Sequence, residues 1–289
     1  MISIDYIVDE IFRDKLKKLE SILDCDVLSY YGLIDNIVLP KFRDMVESIA
    51  SAEEKRESLA ILLTTLGGDA LAADIMVNIV RRHYGEVNFI VPDYAYSAGT
   101  IFCMSGDNIY MDYYSALGPI DPQVKNSEGK WVPALGYLDK IQELLNKAAG
   151  STLSRAEFLI LKDFDLAEIR MYEQARDLAT DLIKKWLVKY KFKNWHTRNS
   201  TGEPVDDAYK EKRAEDIAKA LGDNKKWLSH GRAIDINKLD EMGLKIEDFG
   251  KCDELKESVR DYSAYLWDYI SKYREMTFIA TREEVVKWT

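Results

Sequence analysis

Apolar positions along the chain change period several times, and each change predicts an element. Over residues 5–22 they fall at helical spacing (Ile7, Ile11, Phe12, Leu16, Leu19, Ile22) among acids and bases, which predicts an amphipathic first helix. A short apolar run at 27–31 predicts a strand, and 39–49 a helix opening at Pro40. The run Leu59-Ala60-Ile61-Leu62-Leu63 is continuously apolar and ends in Thr64-Thr65 and Gly67-Gly68, as in a buried parallel strand. A helix over 70–83 keeps Ala72, Ile75, Met76, Ile79 and Val80 on one face. A second buried strand at 87–91, a small-residue helix at 97–104 and a third strand at 108–112 complete a strand-helix alternation. That alternation implies right-handed crossovers and a mostly parallel sheet, the α/β class.

Beyond Gly118-Pro119-Ile120-Asp121-Pro122 the pattern predicts a β-hairpin, 123–125 and 130–132 around a turn at 126–129. Helices follow at about 137–148, 154–163, 166–190 and 206–221, and a last amphipathic helix with several tyrosines at about 254–274. No repeat or low-complexity linker divides the chain. The expected organisation is an N-terminal helical extension over 1–50, a catalytic core over 51–250 with a helical insertion at about 137–225, and a C-terminal helical tail over 251–289.

A chain of 289 residues can bury a core without staples. Its net charge of -10 and pI near 5.0 argue against a nucleic-acid partner, because phosphate binding needs a concentrated cationic face. Cys25, Cys103 and Cys252 lie far apart and lack ligand spacing, so neither a metal site nor a disulfide framework is expected. With no apolar run of about 18 residues, no membrane span is expected. The reading is a reduced, cytoplasmic protein.

Two strand-to-helix turns carry the candidate chemistry: Thr65-Leu66-Gly67-Gly68-Asp69 and Tyr94-Ala95-Tyr96-Ser97-Ala98-Gly99-Thr100. One supplies a Gly-Gly backbone and the other a serine among small residues, the minimum parts of an acyl-transfer site. Ser97 can expose its hydroxyl with the Ala98 N–H beside it, or simply cap a helix. The pair Gly67-Gly68 can hold an oxyanion or close a tight turn; the usual nucleotide-binding glycine patterns are absent. His83, ending a helix beside Arg81 and Arg82, is explained by the helix dipole. His196 and His230 lie in loop-like segments, where each can be a base, a cap or a solvated side chain. Asp121, held between two prolines, can orient a base or close a turn.

In order, strand, Gly-Gly, helix, strand, Tyr-Ser-Ala-Gly, helix, strand, Gly-Pro-Ile-Asp-Pro-Gln resembles the Clp protease/crotonase superfamily, whose core is a repeated β-β-α unit. More closely it resembles the serine dehydrogenase proteinase family, related to signal peptide peptidase A. The resemblance is specific over about 59–124 and weaker through Trp227-Leu228-Ser229-His230-Gly231-Arg232. It implies a triad in the chain order Ser97, Asp121, His230, with Gly67, Gly68 and Ala98 at the oxyanion hole. Where a Clp subunit presents its histidine this chain has Ile120-Asp121, so the Clp triad does not transfer directly. The Ser/Lys dyad of the signal peptide peptidase relatives would use Lys140 or Lys147, if burial depressed a lysine pKa.

The resemblance therefore implies a serine hydrolase, a peptidase acting on peptides or proteins without cofactor or metal. It also implies a homo-oligomer and leaves room for a separate ATPase partner, since this chain carries no ATPase motif. A crotonase-type acyl-thioester enzyme would use the same two N–H groups for an enolate. An inactive oligomeric scaffold would use the fold alone.

Overall fold

A computed structural model describes residues 4–125, 129, 131–198, 201–274 and 276–288. The strands are β1 (Asp26–Tyr31), β2 (Ser58–Thr64), β3 (Glu86–Ile90), β4 (Tyr94–Ala95), β5 (Asn108–Met111), β6 (Ala116–Leu117), β7 (Gln123–Lys125), β8 (Trp131–Pro133), β9 (Glu247–Asp248), β10 (Thr277–Ala280) and β11 (Val285–Trp288). The helices are α1 (Ile4–Leu23), α2 (Leu39–Ala50), α3 (Ala70–His83), α4 (Ala98–Cys103), α5 (Ala134–Ala149), α6 (Arg155–Lys162), α7 (Leu166–Trp186), α8 (Asp207–Leu221), α9 (Asn224–Trp227), α10 (Ile236–Glu241) and α11 (Asp253–Tyr273).

Seven strands form the central sheet in the order β11-β10-β1-β2-β3-β5-β9. From β1 to β9 every pairing is parallel, and β10 and β11 add antiparallel to that run. Strand β2 lies in the middle, and the two-residue alternation divides its side chains. Leu59, Ile61 and Leu63 join Leu28, Tyr30, Val87 and Phe89 in the core under α2, α3 and α4. Ala60 and Leu62 face the opposite way, with Val27 and Ile90, into a second core closed by Phe12 of α1 and Tyr262 and Tyr269 of α11. Burial on both faces explains the unbroken apolar run.

The two chain ends differ from their expected roles as helical extensions. Strand β1 lies inside the sheet between β10 and β2, and the C-terminal segment ends in two strands rather than in helix. A buried cluster ties them together: Arg282 Nη1 contacts Glu20 Oε1 at 2.9 Å and Asp26 Oδ1 at 2.5 Å, and Tyr84 donates to Asp26 Oδ2 at 2.7 Å. Burial opposes the Arg282 charge, but the two carboxylates outweigh it and raise its pKa. The insertion folds as α5 to α8, with Ala179, Leu182, Ile183 and Trp186 of α7 entering the core beside α3 and α4. The expected helix at 166–190 is α7 followed by a π turn, Leu187–Lys191. The hairpin strands are β7 and β8; residues 126–128 of its expected turn and residue 130 of its expected second strand lie outside the described residues.

Candidate active site

The chain leaves β2 and β3 at their carboxyl ends and the two turns run side by side. Thr65 N–H donates to the Tyr94 carbonyl and Tyr96 N–H to the Thr65 carbonyl, both at 3.0 Å. That contact explains the glycines. Gly67 has φ +107°, and a Cβ there would stand 2.7 Å from both Ser97 Cβ and the Tyr96 carbonyl; at Gly68, with φ +142°, it would meet the Ile34 carbonyl at 2.1 Å. The Gly67 N–H donates to Thr65 Oγ1 at 3.0 Å, so this glycine supplies close approach while its donor is used internally. The Gly68 and Ala98 N–H groups have no acceptor among the described residues.

Ser97 takes φ +52° and ψ -116°, a conformation costing a non-glycine residue of order 1–3 kcal/mol. It stands at the cap position of α4, yet its hydroxyl makes no capping hydrogen bond. The alternative of a simple N-cap therefore does not account for this serine. Its strained turn aims a polar group away from the backbone it would otherwise satisfy.

Asp121 reaches the site through β6. Leu117 exchanges both backbone hydrogen bonds with Ile234, at 3.0 and 2.9 Å, which brings the loop after α9 against the Gly118–Pro122 stretch. Asp223 caps α9, Trp227 Nε1 donates to the Ala220 carbonyl at 2.7 Å, and Leu228 turns the chain with φ +61°. His230 follows, with Nδ1 2.8 Å from Asp121 Oδ1. The carboxylate side chain is 4% exposed and the imidazole 28% exposed. A buried acceptor thus holds one ring nitrogen and leaves the other free.

His230, Ser97, Gly68 and Ala98 line one cavity of about 770 Å³, walled by apolar residues including Ile34, Ile101, Ile120 and Leu178. Ser97 Oγ has no hydrogen-bond partner among the described residues. Among the described residues no lysine or arginine lines this cavity.

The structure does not bring Lys140 or Lys147 there. Both sit on α5, 52% and 39% exposed; Lys140 pairs with Glu143 at 2.9 Å, and Lys147 with Glu157 at 2.7 Å. Hydrogen bonds that Lys147 donates to Glu157 and Glu143 raise its pKa, the opposite of what a lysine base requires. His83 and His196 also lie away from the cavity. Sequence reasoning missed two supports, Thr65 and Thr100, whose hydroxyls hold the turns. Their only sequence signal is a threonine two residues before Gly67 and another one helical turn after Ser97.

Residues 37–207, more than half the chain, match the ClpP-like SDH-type serine proteinases. That interval contains Gly67, Gly68, Ser97 and Asp121 and ends before His230. Two uncharacterised proteins of Methanocaldococcus jannaschii are each 26% identical, over 211 and 186 residues. These alignments span 73% and 64% of this chain but 60% and 51% of the relatives, so the chain covers between half and two thirds of their length. Among solved structures, ClpP1 from Listeria monocytogenes is 12% identical with a TM-score of 0.39, over 79% of this chain and 94% of that one. A membrane-bound stomatin-specific protease is 18% identical with a TM-score of 0.33, over 57% and 74%. By the extent of the family match, this chain belongs to the ClpP-like SDH-type serine proteinases.

Proposed function

We propose that the protein is a serine peptidase in which Ser97 is the nucleophile, His230 the general base and acid, and Asp121 the group that orients it. The observation that carries this reading is the His230–Asp121 contact of 2.8 Å, with the histidine opening onto the cavity that Ser97 also lines. With Nδ1–H donating to Asp121, Nε2 takes the Ser97 proton as Oγ attacks the carbonyl carbon and later returns it to the leaving amine. The oxyanion accepts from Gly68 and Ala98 N–H, the two unengaged donors beside the serine. Water then hydrolyses the acyl-enzyme by the same route.

An acyl-thioester enzyme would also use two N–H donors. A coenzyme A carrier bears several phosphate charges, and the absence of lysine and arginine from the described lining argues against it. A homo-oligomer belongs to this reading: α6 has no buried residue, and its Phe158, Leu159 and Ile160 are each more than half exposed. Among the described residues no helix is long and apolar enough to cross a membrane.

A fluorophosphonate probe tests the assignment. Wild type is expected to label at one serine, and Ser97→Ala to abolish both labelling and peptide hydrolysis. Labelling that survives Ser97→Ala, or acyl-thioester turnover without labelling, overturns the proposal.

A further inference from the structure

Between the nucleophile and the orienting acid stands a hydroxyl with no part in the chemistry above. Thr100 is fully buried one turn after Ser97. Its Oγ1 donates to the Ala95 carbonyl at 2.7 Å and accepts from the Gly118 N–H at 2.9 Å. Ala95 ends β4 and Gly118 directly follows β6: the two strands pair as Tyr94 with Ala116 and Ala95 with Leu117, and then separate. One strand turns into Ser97 and the other runs on to Asp121. The Thr100 hydroxyl spans the gap as an added rung, joined to both chains.

The surroundings leave that rung little freedom. A Cβ on Gly118 would lie 2.8 Å from the Tyr96 ring, so the acid-bearing chain is already against the serine turn. A Cβ on Gly99 would lie 2.3 Å from Thr65 Cγ2, which fixes α4 against the Gly-Gly turn in the same way. Three residues past the rung, Asp121 contacts His230. We infer that Thr100 is a positioning residue: its hydroxyl sets the separation between Ser97 and the Asp121–His230 pair by bridging the ends of β4 and β6. This rests on the triad proposed above. Small misplacements at a reacting centre cost rate steeply, by about a hundredfold for 1 Å, while leaving the cavity that binds substrate in place.

The test compares Thr100→Val, which keeps the shape and removes both hydrogen bonds, with Thr100→Ser, which restores the hydroxyl. The readouts are the second-order rate of fluorophosphonate labelling and kcat and KM for a peptidyl-coumarin substrate, below the unfolding transition of every variant. Expected are a 10- to 100-fold fall in labelling rate and kcat for Thr100→Val with KM within threefold, and recovery to within threefold of wild type for Thr100→Ser. A purely structural hydroxyl would act whether or not the triad is intact. The decisive measurement is therefore Thr100→Val in an Asp121→Ala background, where the effect on residual labelling is expected to shrink below threefold. An undiminished effect there, or wild-type rates for Thr100→Val, overturns the inference. If Thr100→Val does not fold, failure of Thr100→Ser to restore the rate does the same. Persistent labelling in Ser97→Ala would instead overturn the triad itself.

Discussion

Replacing Asp121 by Asn changes little volume and removes one charge from a side chain that is almost wholly buried. In the proposed mechanism His230 becomes an imidazolium in the transition state, so the carboxylate would stabilise a charge that exists only after proton transfer. With charge centres about 4 Å apart and an effective dielectric near 20, the attraction is about 4 kcal/mol, close to a 10³-fold rate difference. Asn adds a second cost when its amide faces Nδ1: that nitrogen must then accept, the proton moves to Nε2, and the histidine no longer serves as base. The labelling rate and kcat of Asp121→Asn are therefore expected to fall by about 10³-fold, with KM little changed. The carboxylate accepts from His230 alone among the described residues, so stability should change by about 2 kcal/mol or less, readable as Tm. Activity within tenfold of wild type, while Ser97→Ala is inactive, would refute the assigned role of Asp121.

Other expected outcomes concern the frame and the rejected base. Gly67→Ala forces a methyl group to 2.7 Å from Ser97 Cβ at φ +107°, so labelling should fall at least 100-fold even if circular dichroism shows the fold retained. Lys140→Ala and Lys147→Ala should each leave kcat within twofold, because both amines are paired with glutamates and neither lines the cavity. Arg282→Met leaves Glu20 and Asp26 buried and uncompensated and should lower unfolding free energy by about 3–5 kcal/mol in urea titration. For Asp107, burial raises the pKa, but Lys193, the Val87 N–H and Arg81 outweigh it and the net shift is downward. Its stabilisation is thus present above the ordinary carboxylate pKa of about 4 and fades as pH falls below it, so the Tm gap between wild type and Asp107→Asn should narrow below about pH 4.

The parallel core was legible because its signal is local. Leu59 to Leu63 are apolar on both faces, and only a strand covered on both sides has use for that pattern. The end strands were not legible: Thr277 to Ala280 is four residues long, and its place beside β1 depends on pairing across the whole chain, which periodicity does not record. The same division runs through the site. Gly67, Gly68 and Ser97 stand within strand-helix turns whose residue types announce an exposed backbone, whereas a histidine in a loop announces nothing. His230 was singled out only through a family resemblance, and the family match itself stops before it.

What makes His230 a candidate is a chain of distant dependencies: Asp223 capping α9, Trp227 anchored on Ala220, Leu228 turning the chain, and Ile234 paired with Leu117. None of these contacts touches the imidazole, yet together they place it 2.8 Å from Asp121. A loop histidine so held has lost the conformational freedom that a solvated one keeps, and that ordering costs free energy without the stability return of a buried apolar side chain. The expense is intelligible when the ring must face Ser97, which itself sits in a strained conformation. Strain at the serine and order at the histidine are thus two costs at one cavity, and the proposed acyl transfer would give both a use.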